Sequence, residues 1–180
     1  MSDLADRLLA VHRALDDAGF AHAFGGAIAL GYCTEEPRGT RDLDVNVFVA
    51  ADRSAAVLEA LPRGVAVSAA DKAAARKTGQ VRVMWGQTPI DLFFDTDEFH
   101  RAASREIRLV PFAGAEIPVL ACDALIVFKA MFNRTRDWAD IEAILEAGAT
   151  DGRAALANVR EIMGPSDPVS VRLGGLVRPT

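Results

Sequence analysis

Arg38-Gly-Thr-Arg41-Asp42-Leu-Asp44-Val-Asn46-Val-Phe48 is the stretch on which the reading of this chain turns, because it sets two aspartates into an otherwise apolar run. Side chains of an extended strand alternate between faces, so Asp42, Asp44 and Asn46 share one face while Leu43, Val45 and Val47 share the other. Aspartate is disfavoured in strands, and two on one face need a reason beyond folding. At a rise of about 3.3 Å per residue their Cα atoms stand roughly 6.5 to 7 Å apart, close enough for both carboxylates to hold one hard cation.

Upstream, Phe20 to Phe24 reads as a short strand, Gly25-Gly26 interrupts it, and the small residues from Ala27 to Cys33 continue as a helix. A glycine pair at that junction lets the backbone approach a ligand, and the helix start offers amides to a phosphate. Turn glycines at strand ends are common, so the pair is weak evidence by itself. Downstream, Pro89-Ile-Asp91-Leu-Phe-Phe94 is a second apolar strand with a carboxylate in its middle, where an unpaired charge would be costly to bury. Three acids on two strands suggest shared Mg²⁺, which prefers oxygen ligands and is usually held by carboxylates together with substrate phosphates. Asp95 and Asp97 are rival third acids, but their place at the strand's end suits solvated loop residues. The chemistry that follows is phosphoryl or nucleotidyl transfer.

The flanking segments alternate in type. A helix is expected over Asp3 to Ala18, from Leu4, Leu8, Val11 and Leu15, and others over Asp52 to Leu61 and Ala69 to Lys77. Strands are expected near Val65 and over Val81 to Met84, and a hairpin over Glu106 to Pro111 and Glu116 to Leu120. Asp123 opens a long helix running to about Ala147, and Asp151 to Met163 forms the last one, after which the Gly-, Pro- and Ser-rich tail has little to bury. On the long helix Lys129, Asn133, Arg136 and Asp140 fall in one stripe at 100° per residue. Lys129 lies within Leu-Ile-Val-Phe-Lys-Ala-Met-Phe, a setting that favours a phosphate role, with pairing to Asp140 as the competing explanation.

With 180 residues, 51% of them hydrophobic, the chain fits one core: a single domain over 1–164, its centre about 20–120, a helical part about 123–163 and a tail at 165–180. No apolar run reaches membrane-spanning length and the first residues do not resemble a leader, so no membrane partner and a cytoplasmic location are expected. Cys33 and Cys122 stand in no ligand spacing and suggest neither zinc nor a disulfide, only buried apolar residues. His12, His22 and His100 show no partner pattern. A net charge of −5 argues against a protein that coats nucleic acid. Neither a Gly-x-Ser-x-Gly nor a P-loop pattern occurs, which weakens hydrolase and P-loop readings.

Phe-Gly25-Gly26, then Arg-Asp42-Leu-Asp44-Val, then Ile-Asp91-Leu resemble, in that order, the nucleotidyltransferase superfamily with a DNA-polymerase-β-like core, over residues 20 to 95. The run from Ala124 through Lys129, Arg134, Arg136 and Asp137 to Ile141 resembles the branch that includes AbiEii-type abortive-infection toxins, extending the match to about residue 148. The resemblance implies an α+β fold, a mixed sheet packed against helices with further C-terminal helices. It implies two Mg²⁺ ions, or Mn²⁺, on Asp42, Asp44 and Asp91, and a nucleoside triphosphate between the sheet and the Lys129 helix, meeting Gly25-Gly26. Asp91 would be the general base or its orienter, and Arg41 could offset phosphate charge or pair with a neighbouring acid. The implied activity is transfer of an NMP to an acceptor hydroxyl on tRNA or protein by a toxin-like enzyme with an antitoxin partner. The alternatives are a small acceptor such as an aminoglycoside, or a binding module without catalysis.

Overall fold

Apolar and polar residues alternate in strand β2 (Leu43–Ala50), where Leu43, Val45 and Val47 are fully buried and Asp44 is half-buried. In β5 (Thr88–Asp95) Ile90, Leu92 and Phe94 are buried while Asp91 and Phe93 are half-buried. Each fully buried Leu, Ile or Val contributes about 1.5–3 kcal/mol, so the apolar face fixes which way the aspartates point. The two strands run parallel and in register, with Leu43 beside Ile90, Asp44 beside Asp91 and Val45 beside Leu92.

The computed structural model describes residues 3–177, and the chain divides into two compact units. The first comprises the chain up to Ile28 and Gly39–Leu120. Around β2 and β5 it builds a mixed sheet from β1 (His22–Phe24), β3 (Val65–Ala66), β4 (Gln80–Trp85), β6 (Arg108–Phe112) and β7 (Ala115–Val119). The order across it is β3-β4-β5-β2-β1-β7-β6. Gly86-Gln87 closes the β4–β5 hairpin, with Gly86 at φ 59° as such tight turns require. Helix α1 (Asp3–Asp17) buries Leu8, Val11 and Leu15 and packs on β7 and on α3 (Ser54–Ala60). Helices α4 (Ala69–Thr78) and α5 (Glu98–Ala103) complete this unit.

Helix α2 (Gly26–Thr34) begins in the first unit and ends in the second, which comprises Ala29–Arg38 and the chain from Ala121 on. There α6 (Cys122–Phe132) packs against α7 (Thr135–Glu146), α8 (Arg153–Met163) and α9 (Pro168–Leu176). The core of the second unit gathers Ile126, Trp138, Ile141, Ile144, Val159 and Leu173.

Several expectations are corrected. The helix expected from Asp123 to Ala147 is two helices: Asn133 takes the left-handed conformation at φ 54°, which asparagine tolerates, and closes α6 through its N–H to the Lys129 carbonyl at 3.0 Å. Asp137 then accepts the Arg134 backbone N–H at 3.2 Å and opens α7. The tail buries Val169 and Leu173 on α9, started by Asp167 as cap with Pro168 in the first turn; its last residues, 178–180, and residues 1 and 2 lie outside the described part. Cys33 and Cys122 are buried as expected but form a disulfide, with Cα atoms 5.7 Å apart, inside the second unit. The segment around His100 is helical, His100 is buried, and Asp97 caps it by accepting the His100 N–H at 2.8 Å. Asp95 is no solvated loop residue: its side chain is 8% exposed and meets Arg101 Nε at 2.9 Å. His12 and His22 do form a pair, with Nδ1 and Nε2 2.9 Å apart.

Candidate acid site of the first unit

Asp44 sits one strand away from Asp91 at the same level of the sheet, so the two carboxylates leave the same face, with neighbouring strands about 4.8 Å apart. Asp42 precedes β2 by one residue and lies in the bend that leads into it, its Oδ1 accepting the Thr40 hydroxyl. Strand alternation therefore does not set the direction of the Asp42 side chain.

The glycine pair closes over this face. The N–H of Gly25 donates to the Asp44 carbonyl at 2.9 Å, and a Cβ on Gly25 would stand 2.9 Å from Asn46 Nδ2 and 3.9 Å from Asp44 Cβ. Asn46, 5% exposed, thus shares the face of Asp44 as alternation requires. Gly26, at φ 50°, opens α2, and a Cβ there would fall 1.8 Å from Asp44 Oδ2. Only glycine lets the Asp44 carboxylate lie against the first turn of this helix, where the N–H dipoles favour a negative charge.

Asp91 is turned to a residue that sequence reasoning passed over. Arg82 on β4 stands directly across from it and donates from Nε to Oδ1 at 2.7 Å and from Nη2 to Oδ2 at 2.6 Å. Asp91 raises the Arg82 pKa, first by these hydrogen bonds and then by its charge, and Asp42 and Asp44 add to the effect from farther away. The signal was present in the sequence: a two-residue turn at Gly86-Gln87 pairs Trp85 with Thr88, and counting back along both strands pairs Arg82 with Asp91. Arg41 is exposed.

Among the described residues no three Asp, Glu, His or Cys side chains converge as metal ligands would. The fit to a divalent cation is one of donor chemistry alone. Asp42, Asp44 and Asp91 offer only carboxylate oxygens, which suit Mg²⁺ or Mn²⁺, and a guanidinium already provides the positive charge that this face attracts.

Lys129 belongs to the second unit, and its surroundings there are charged as well as apolar. It is 7% exposed, with Nζ 2.6 Å from Asp140 Oδ2 and 3.8 Å from Asp137 Oδ1. Asp140 also accepts from Arg38 Nη1 at 2.8 Å, and Asp137 from Arg134 Nε at 2.6 Å. The sequence favours a phosphate role for Lys129; the competing explanation, its pairing with Asp140, is the contact found, and it forms across the α6–α7 turn, not along one helix.

No protein-family model matches the chain, and no curated protein matches its sequence. Solved structures do. The chain is similar to the antibiotic-resistance factor ANT(2'')-Ia in complex with adenylyl-2''-tobramycin, at TM-score 0.62 and 15% identity over 89% of this chain and 99% of that one. The solution structure of the same factor gives 0.60 and 13%, over 88% and 92%. An antigenic nucleotidyltransferase-like protein from Paracoccidioides brasiliensis gives 0.53 and 15%, over 98% and 94%. The mixed sheet and its helices are a nucleotidyltransferase-like fold.

Proposed function

We propose that this chain transfers an NMP from a nucleoside triphosphate to an acceptor hydroxyl, using the face that bears Asp42, Asp44 and Asp91. The observation that carries the reading is the pairing of Asp44 with Asp91 under Gly25-Gly26, in a fold shared with nucleotidyltransferase-like proteins. Asp42, Asp44 and Asp91 would hold Mg²⁺ or Mn²⁺, which would lower the pKa of the attacking hydroxyl and offset charge on the leaving pyrophosphate. The acceptor oxygen bonds to the α-phosphorus, the bond from that phosphorus to the β-phosphate oxygen breaks, and pyrophosphate leaves. Asp91 accepts the hydroxyl proton or orients the group that does. Gly25 and Gly26 let Asn46 and the Asp44 carboxylate close up to the start of α2, near which the triphosphate would bind, and Arg41, which is exposed, offsets phosphate charge. Lys129 is assigned here to the interior of the second unit, where two carboxylates already balance it.

The favoured acceptor is a small hydroxylated molecule. The likeness to ANT(2'')-Ia, whose structure holds adenylyl-2''-tobramycin, runs through nearly all of both chains, and a net charge of −5 suits a cationic acceptor better than RNA. The toxin-like alternative, with tRNA or protein as acceptor and an antitoxin partner, is carried by the residues of α6 and α7. No described helix is long and apolar enough to cross a membrane. The expected cytoplasmic location is opposed by the Cys33–Cys122 disulfide, which favours an oxidising environment, and thiol trapping in intact cells decides between them.

Each α-labelled nucleoside triphosphate, with Mg²⁺ or Mn²⁺, tests the reading against aminoglycosides, total tRNA and a protein extract. Label on an aminoglycoside from wild type but not from Asp44→Asn supports it. Label on tRNA or protein instead moves the acceptor to the toxin-like alternative, and no label anywhere favours a binding module.

A further inference from the structure

Arg82, Asp91 and Asp44 stand side by side on β4, β5 and β2, so a cation, an anion and a second anion form a row across one face. The Arg82 side chain is 59% exposed, whereas that of Asp91 is 16% exposed. An arginine so open to water has no burial cost that demands a partner, yet it engages both oxygens of Asp91 in a fork geometry. Both oxygens are therefore committed before any ligand arrives.

We propose that Arg82 is a positioning residue of the acid site: it holds the Asp91 carboxylate in the cation-free protein and competes with a divalent cation for it. The inference rests on the metal-carboxylate reading of Asp42, Asp44 and Asp91. A guanidinium at the protein surface can leave by side-chain rotation alone, without disturbing the buried Ile90 and Leu92 on either side of Asp91. The contact keeps the third carboxylate oriented and its charge offset until a cation with higher charge density takes its place. It also sets how much cation the site needs. Asp42 and Asp44 extend the same field to Arg82, so the competition involves the whole face and not one ion pair alone.

Mn²⁺ alone, without nucleotide, is the probe, with free Mn²⁺ measured by electron paramagnetic resonance at low salt. The variants are Arg82→Ala, Arg82→Lys and Asp44→Asn, each checked by its unfolding midpoint. Arg82→Ala should bind Mn²⁺ about fivefold more tightly than wild type, near the upper range for release of an exposed ion pair, with Arg82→Lys in between. Raising the salt should shrink the difference. A merely structural cross-strand pair would leave Mn²⁺ affinity unchanged. If Arg82→Ala binds as wild type does or more weakly, while Asp44→Asn loses binding, the role of Arg82 is overturned and the metal reading survives. If no variant shows binding that depends on Asp44, both fall.

Discussion

Asp44 and Asp140 are both aspartates set among apolar residues, one in each unit, and they differ in how their charge is balanced. Asp44 shares its face with Asp91, both half-buried, and the guanidinium that engages Asp91 is largely in water. Asp140 and its neighbour Asp137 are 5% and 2% exposed and are met at short range by Lys129, Arg38 and Arg134. The first arrangement sets half-buried carboxylates side by side, with a largely exposed guanidinium on one of them. The second is balanced from within, because a buried carboxylate without partners would not survive folding. Charged residues in an apolar run thus call for a ligand test when they are half-open, and read as architecture when they are closed and fully paired.

The sharpest way to break this contrast is to remove one carboxylate from each place. Asp44→Asn should reduce nucleotidyl transfer on the order of 10³-fold, equivalent to about 4 kcal/mol of transition-state stabilisation. Its thermal midpoint should change little. A midpoint that dropped with activity would make Asp44 architectural too. Asp140→Ala should do the reverse and cost about 3–5 kcal/mol in denaturant unfolding, because Lys129 loses its 2.6 Å partner and keeps only Asp137 at 3.8 Å. A loss below about 1 kcal/mol would place this buried cluster with ordinary surface pairs and dissolve the distinction.

The disulfide sharpens the same point, since it lies wholly in the unit assigned to architecture. Replacing both cysteines, Cys33→Ala with Cys122→Ala, should lower stability by about 2–4 kcal/mol, read from the denaturant midpoint against wild type with and without reductant. If reductant leaves the wild-type midpoint unchanged and the double variant matches it, the link adds nothing to the second unit.

What the sequence made legible follows from how local each signal is. Strands β2 and β5, the glycine pair and the β6–β7 hairpin depend on neighbours within a few residues, and each stands close to where alternation or turn chemistry put it. The break at Asn133 was hidden because Lys129 to Asp140 keeps helical spacing through it, and only a left-handed asparagine interrupts the run. Helix α9 was hidden by Gly174-Gly175, which lower helix propensity but leave Val169 and Leu173 free to pack. The Cys33–Cys122 link spans 89 residues, and no spacing rule reaches that far. Arg82 is intermediate. Its partner was recoverable from the Gly86-Gln87 turn, but only by carrying the hairpin register through to Asp91.

The smallest expected effect concerns acid, and it separates the two units by composition: His12, His22 and His100 all belong to the first. Burial lowers the pKa of His22 and of His100 below the ordinary 6.5, and the carbonyls of Phe20 and Phe94, which favour the charged forms, only partly oppose it. The His22 Nδ1–H donates to the Phe20 carbonyl at 2.8 Å, so its Nε2 accepts from His12 Nδ1–H and the neutral ring is the one that fits. A histidine whose folded pKa is depressed contributes stability that is fully present above pH 6.5. That stability is lost as pH falls through the lower folded value, because the unfolded chain takes up the proton first. Hydrogen exchange compared at pH 7 and pH 5, corrected for the intrinsic rate, should therefore show protection lost in β1 and α5 before α6 to α8. His22→Gln should reduce the loss in β1. Equal loss in both units would mean that carboxylates, not histidines, govern the acid response, and the buried aspartates of the second unit would then be the groups to titrate.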